Sequence, residues 1–419
     1  MTPDTQRVRG KTSGWMRGAA MAAVASVALL GAQHASPALA APDDGRAELV
    51  VTAGSDRTGT DAGDVSGLEG LTFAVIPGAA GQRPTSDEGA VATFASGADG
   101  RGVLSSLEPS AEGYWVVPVS APEGYSVIER ETRARFDGAQ AVVLDRYGFH
   151  TGAVSAGQTL EIPAGFEADN VGSDPAYLND AGFVAAPRDN PELQTLACEE
   201  GIDITLVADL SFSTDGQFGP LGSPYRDAVN SFIDGMAGSE GSTLRLATFS
   251  GTAPAAGQED TTRAYSMADD ADVQAAHDRV ASLNRVERGG SYLQGTNWDA
   301  GLSQLADSAA DTDLVVFLTD GLPTLDNDEI SDLDPNAGGN TNQLRTKIRN
   351  IDFAVASANT LKGGGTRIVA AGVGPVGAAD YAVPNLAAIS GPVAGSDFYQ
   401  TGWDSLAESL QQIIDDACS

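Results

Sequence analysis

Hydrophobic and polar positions follow two different rhythms along this chain. From Leu68 to about Phe149 the apolar residues come in short runs, LTFAVIPG, AVATFASG, GRGVLSSL, GYWVVPVSAPEGY and AQAVVLDRYGF. Turn residues part these runs at intervals of about ten positions, the spacing of a small antiparallel β-sandwich. Between 150 and 197 the text is mixed, with GQTLEIPAG as one further strand and AAPRDNPELQTLACEEG as an extended lead into the next domain. From Ile202 onward, apolar strands alternate with amphipathic helices. The strands are IDITLVAD, TLRLATFSG, TDLVVFLTDG, TRIVAAGVG and DFYQT. The helices are YRDAVNSFIDGMAG, DVQAAHDRVASL, NWDAGLSQLADSA, NQLRTKIRNIDFAVASANTLKG, ADYAVPNLAAIS and SLAESLQQIIDDAC. Such alternation predicts a doubly wound, mainly parallel α/β sheet with helices on both faces. The expected organisation is a signal peptide over 1–40, a flexible polar leader over 41–60 and an all-β sandwich over 61–150. An extended linker over 151–197 and an α/β domain over 198–419 complete it.

Composition narrows the function. Among 419 residues, 57 acids against 24 bases give a net charge of −33, which disfavours nucleic acid and anionic membranes as partners. Arg7, Arg9, Lys11 and Arg17 precede the apolar run AAMAAVASVALLGA, and SPALA followed by APDD offers a cleavage site after Ala40. The reading is export with cleavage, against the alternative of an uncleaved anchor. No other stretch approaches the roughly 18 apolar residues of a membrane span, and no LPxTG-type sorting motif occurs. The two cysteines, Cys198 and Cys418, read in an exported chain as a disulfide rather than as free thiols.

The stretch VADLSFSTDG carries the candidate chemistry. Asp209 ends an apolar strand, and a lone carboxylate there is costly unless it is paired or bound to metal. Ser211 and Ser213 come next at alternate positions. Thr296, in GTNWDAG, sits at a helix start, and Asp320 ends the second apolar strand, VVFLTDG. In a doubly wound sheet both strand ends lie on the carboxyl rim, where ligands bind. Two carboxylates and three hydroxyls make an all-oxygen set suited to Mg²⁺ first, with Mn²⁺ or Ca²⁺ as the alternatives, and unsuited to zinc. Such a set leaves a coordination position open to an Asp or Glu of a partner.

In this pattern, Asp209-Leu-Ser211-Phe-Ser213, then Thr296, then Asp320, residues 200 to 418 resemble a von Willebrand factor A domain with a metal-ion-dependent adhesion site. The resemblance implies a Rossmann-like α/β fold and metal coordination by those five side chains, directly or through water. With the fold it implies, Cys198 before the first strand and Cys418 at the end of the last helix would clip the domain's two ends together, on the opposite pole from the metal rim. Closing a loop of about 220 residues is worth on the order of 5 kcal/mol at most. The segment ADGRGVLSSLEPSAEGYWVVPVSAPEGY is similar to prealbumin-like modules of the SpaA or Cna-B kind, through Tyr114, Ala121, Pro122, Gly124 and Tyr125. Those modules often carry a Lys–Asn isopeptide bond promoted by a Glu. Here Pro118 holds the acid's place and no lysine lies between Lys11 and Lys347, so that bond is excluded in this segment.

The insertion Leu325 to Gln343 begins like a calcium loop, but Ala337 stands where Gly is needed and Gln343 where a bidentate Glu is needed. It reads as an acidic loop beside the rim, shaping a ligand or merely solvated. His34, His150 and His277 neighbour no candidate nucleophile, and G-x-S-x-G, P-loop and H-E-x-x-H motifs are absent, so no enzyme is expected. The expectation is an exported surface or secreted adhesin that binds an acidic group of a protein ligand, on a host, a matrix or a pilus, through a divalent cation. The pairing of modules is similar to Gram-positive pilus-tip adhesins. The alternatives are a pilus or envelope assembly subunit that docks its own partners, and an accessory domain of a chelatase-like complex.

Overall fold

The computed structural model describes residues 45–417 except 60, 62–63, 134–141, 163–165, 168–177, 180, 194–200, 215–221, 259–262, 287–291, 307–310 and 329–345. Residues 1–40, expected to be a signal peptide, and Cys198 and Cys418 therefore lie outside the described residues, as does most of the insertion from Leu325 to Gln343. Residues 41–419 group as one compact unit, separate from 1–40.

The longest strand falls where a flexible leader is expected. Strand β1, Ala47–Arg57, is buried along most of its length, because the apolar run Leu49–Val51, flanked by Ala47 and Ala53, lies within the polar 41–60 stretch. Only a strand covered on both faces can use such a run. β2 (Val65–Gly67), β3 (Thr72–Pro77), β4 (Ala92–Ala95), β5 (Arg101–Leu107) and β6 (Tyr114–Ser120) come next. β7 (Phe149–His150), β8 (Thr159–Ile162) and β9 (Val184–Ala185) follow, and two short antiparallel pairs, Glu131–Arg133 with Val142–Leu144 and Phe166–Glu167 with Leu178–Asn179, stand apart from the sheets. The first half of β1 lies between antiparallel β5 and parallel β8, and its second half between antiparallel β2 and parallel β9. β4, β3, β6 and β7 form a second, antiparallel sheet. β8 is the further strand read in GQTLEIPAG, and β9 comes from the same segment expected as an extended linker; both are built into the sheet, paired with β1. The strands between 65 and 150 pair antiparallel, and these later segments return beside β1 in parallel.

From Asp203 the chain keeps to the predicted alternation. β10 (Asp203–Asp209), β11 (Thr243–Phe249), β12 (Ala264–Ser266), β13 (Leu314–Thr319), β14 (Arg367–Val373) and β15 (Phe398–Thr401) form one sheet in the order β12-β11-β10-β13-β14-β15. Only the edge strand β12, which the apolar pattern does not signal, is antiparallel. Helices α1 (Ser223–Met236), α2 (Asp270–Ser282), α3 (Trp298–Ser303), α4 (Ile348–Gly363), α5 (Val383–Ile389) and α6 (Leu406–Ala417) cover it. Alternate strand residues face two cores. Leu206, Leu246, Val316 and Leu318 meet Phe232 of α1 and Leu410 of α6. Val207, Phe249, Phe317 and Ala370 meet Trp298 of α3 and Phe353 of α4.

This second core runs on without a break into the β layer, through Leu49, Val51, Phe183 and Val184. Helix α4 lies between the two sheets and is buried on all sides. Its polar side chains are satisfied by the β layer. Asp352 accepts from Tyr147 Oη at 2.8 Å and from the Ala185 amide at 3.0 Å. Asn359 donates to the carbonyls of Ser55 and Ala186 and accepts from the Arg188 amide. Thr360 Oγ1 accepts from the Arg57 amide at 2.8 Å. On α5, Asn385 pairs with both backbone groups of Thr132. The β layer is thus a covering sheet for the α/β unit, joined by polar contacts that are buried and paired.

Removing one donor from this joint leaves a buried carboxylate short of a partner. We expect Tyr147→Phe to cost about 1–3 kcal/mol, measured by urea unfolding of the full chain.

Candidate metal centre

The geometry begins with strand register. β10 and β13 are parallel neighbours, with Ala208 opposite Leu318. They are also the pair at which the strand order reverses, the crevice where doubly wound sheets hold ligands. Asp209 at the end of β10 therefore stands level with Thr319, the last residue of β13, and Asp320 comes next on the same rim.

Asp209 is fully buried. Its Oδ1 accepts the Ser211 amide at 2.8 Å, and its Oδ2 accepts the Thr319 hydroxyl at 2.8 Å. From Ser211 the contacts continue as a chain of oxygens. Ser211 Oγ lies 3.2 Å from Ser213 Oγ, and Ser213 Oγ donates to Asp320 Oδ1 at 2.9 Å. Thr296 joins from the other side. A Cβ built on Gly321 would sit 3.8 Å from both Ser213 Oγ and Thr296 Oγ1, so the two hydroxyls face one small space. All five predicted residues are brought to one spot on the rim, and four of them are almost wholly shielded from solvent: Asp209 at 0%, Ser211 at 1%, Thr296 at 6% and Asp320 at 6% exposure.

The supports are local. Asn297 caps α3 by accepting the Ala300 amide at 2.9 Å, while its own amide donates to the Ser250 carbonyl. The Thr296 amide donates to the Thr324 hydroxyl at 3.2 Å, and the Thr324 amide donates to the Thr296 carbonyl at 2.8 Å. The Phe212 amide donates to the Gln294 carbonyl, and Arg285 donates to the Phe212 carbonyl. Behind Asp320, its carbonyl accepts the Gly377 amide at 3.0 Å. A Cβ on Gly377 would come within 2.7 Å of the Thr319 carbonyl, so only glycine allows this approach.

Electrostatics mark the spot as short of positive charge. Burial raises the Asp209 carboxyl to about 6, against hydrogen bonds from Ser211, Thr319 and the Asp320 amide that favour its ionised form. Among the described residues Asp209 meets neutral donors only. Tyr225 is pushed well above the usual phenol range, by burial first and then by the negative charges of Asp209 and Asp320. Its hydroxyl is buried without a partner among the described residues, and so are Ser250 Oγ and Gln294 Oε1, whose backbone carbonyls brace Asn297 and Phe212. A bound cation with its water fits this set: oxygen donors throughout, a deficit of positive charge and unsatisfied polar atoms at the margin.

Sequence reasoning missed several residues around the site. Thr319, which holds Asp209, stands next to Asp320 in the strand. Asp299, in the first turn of α3, is fully buried, paired with Arg57 of β1 at 3.2 Å and bonded to Ser357; burial raises its carboxyl, and Arg57 partly offsets the rise. The opening of the acidic insertion is not solvated: Asp326 is buried, and Arg349 grips it at 2.8 and 3.0 Å and reaches Asp328 at 2.7 Å. His150 bonds the Gly78 carbonyl inside the β layer, and His277 links α2 to Asn230 and Asp234 of α1, both far from the rim.

The fold and site together define a doubly wound α/β unit with an all-oxygen cluster at its switch point. No family model matches the chain, and no curated protein matches it. Among solved structures the chain is similar to proximal thread matrix protein 1 from the mussel byssus, at 20% identity over 53% of this chain and 47% of that one, TM-score 0.35. One structure of that mussel protein has a zinc-occupied MIDAS motif. The chain is also similar to the pilus adhesin SpaC from Lactobacillus rhamnosus GG, at 17% identity over 56% and 31% of the two chains, TM-score 0.37. A third is the vWF domain of the type V pili tip protein Mfa5 from Porphyromonas gingivalis, at 13% identity over 52% and 96%, TM-score 0.37. The chain spans less than half the length of the first two. Strand order and register, rather than these distant likenesses, define the fold.

The Asp326–Arg349 pair closes the floor behind the rim. We expect Arg349→Ala to strand the buried carboxylate and cost on the order of 3–5 kcal/mol in chemical denaturation, with Arg349→Lys restoring little because the grip is two-pronged.

Proposed function

We propose that residues 198–419 act as a von Willebrand A-type adhesion domain and that Asp209, Ser211, Ser213, Thr296 and Asp320 hold a divalent cation, Mg²⁺ before Mn²⁺ or Ca²⁺. The observation that carries this reading is the buried Asp209 carboxylate, met by neutral donors alone among the described residues and linked through Ser211 and Ser213 to a second carboxylate, Asp320. Bound there, the cation supplies the missing positive charge and a position for an outside carboxylate. The chain's own residues do the rest. Thr319 and the Ser211 amide fix the Asp209 carboxylate, Asn297 and Thr324 fix Thr296, and Gly321 keeps the space above Ser213 and Thr296 free of side chain.

The proposed ligand is a protein that presents Asp or Glu, consistent with a chain whose own surface is strongly acidic and repels nonspecific anionic partners. The proposed setting is outside the cell, through cleavage after Ala40, with Cys198 and Cys418 forming a disulfide. The β module over 61–150 is proposed as prealbumin-like, with the role of a stalk or spacer. Among the described residues no helix is long and apolar enough to cross a membrane.

Calorimetric titration of Mg²⁺, Mn²⁺ and Ca²⁺, followed by a protein-ligand array with and without EDTA, tests the reading. The wild type takes up one cation per chain, and EDTA abolishes capture of its ligand. Asp209→Ala keeps the fold, seen in an unchanged far-ultraviolet circular dichroism spectrum, and loses both cation and ligand. Equal uptake by that variant sinks the proposal.

A further inference from the structure

A cavity of about 650 Å³ opens where the β layer meets the α/β unit. It is remote from the metal rim, beside the start of β14, where Asn190 bonds the backbone of Ile368. Its walls are largely apolar, with Val127 and Ile128 from the β layer, Pro384 and Ala387 from α5, and Phe398 from β15. The cavity is a cleft open to solvent on one side. The volume lies within the range that holds small organic ligands.

Two charged groups, Lys362 and Asp397, sit in its buried wall. Lys362, near the end of α4, is only 3% exposed and lines the cavity. Its Nζ donates to the Arg188 carbonyl at 2.9 Å, and among the described residues it has no ion pair. The neighbouring charges are already matched. Asp397 is held by Arg367 at 2.8 Å and by Asn190 at 2.9 Å, Arg188 by Asp56 at 2.8 Å, and Arg130 by Asp145 at 3.5 Å. The remaining acids of the lining, Glu129 and Asp189, are exposed at the mouth, where water screens them. A buried ammonium with one neutral acceptor is poorly compensated. Burial accordingly lowers Lys362 to about 7, with Asp397 and Asp189 opposing the shift and Arg188 and Arg367 adding to it.

We propose that this cavity binds a small organic carboxylate, its head on the Lys362 ammonium and its apolar body against Val127, Ile128, Pro384, Ala387 and Phe398. The charge needed at the inner end is negative, and the surface available to the rest of the ligand is hydrocarbon. No bond is made or broken, and the site works whether or not the rim holds a cation.

The test uses the full chain with octanoate as probe and 1-octanol as its uncharged counterpart, read by calorimetry and by thermal shift. Octanoate binds saturably to the wild type, at least tenfold more tightly than octanol, and raises the melting temperature. Lys362→Met loses at least tenfold in octanoate affinity while octanol binding stays unchanged. Ala387→Trp, which fills the cavity and leaves the ammonium in place, abolishes binding of both; this variant keeps the test decisive if Lys362→Met fails to fold. The absence of saturable octanoate binding, equal affinity for octanol, or undiminished binding by Ala387→Trp overturns the proposal. Cation uptake at the rim is unaffected in every arm, so its failure and failure here are distinguishable.

Discussion

Burying a carboxylate is expensive, and the way each one is compensated organises this molecule. Asp299 has Arg57, Asp326 has Arg349, and Asp352 has a phenol and an amide. Each of these acids is a joint: the first ties β1 to α3, the second ties the loop after β13 to α4, and the third ties α4 to the β layer. Asp209 is different. Like Asp352 it meets only amide and hydroxyl donors among the described residues, but it lies on the rim where the strand order reverses, beside two serines that lead to a second carboxylate, Asp320. Structural acids in this chain come with partners from a neighbouring element, and the one acid gathered into a cluster of hydroxyls is at the place where a ligand belongs.

Much of the α/β unit is legible in the sequence because its signals are local. Apolar strands such as TLVAD and VVFLT are buried on both faces and read as continuous runs, and the helices between them are amphipathic. The convergence of Asp209 with Asp320 comes from parallel register alone. Thr296 is less local, since its place depends on the Asn297 cap and on Thr324 from a different segment. Thr319 could have been found, because a hydroxyl beside a rim acid points back along the neighbouring strand.

In the β layer the strands over 72–120 fall on the apolar runs, while β1 and its parallel pairing escape a reading from sequence, and the reasons are physical. β1 sits in a stretch rich in Asp and Gly, so its short apolar run is diluted in any wider window. Its partners β8 and β9 lie more than a hundred residues downstream, and no local pattern encodes parallel pairing at that distance. The polar residues of α4 are visible as Asp352, Asn359 and Thr360 in an otherwise apolar helix. Taken alone they suggest a solvated face; in the fold they are the contacts that the β layer satisfies.

Because α4 has no face toward water, sliding it would tear contacts on two sheets at once. Helices α1 and α6 are held on one side only, and their outer residues are exposed. The molecule is therefore mechanically lopsided. Strain arriving at the rim finds a stiff wall behind α3 and α4 and a compliant one behind α1 and α6, so any breathing of the upper edge is steered toward the uncovered flank.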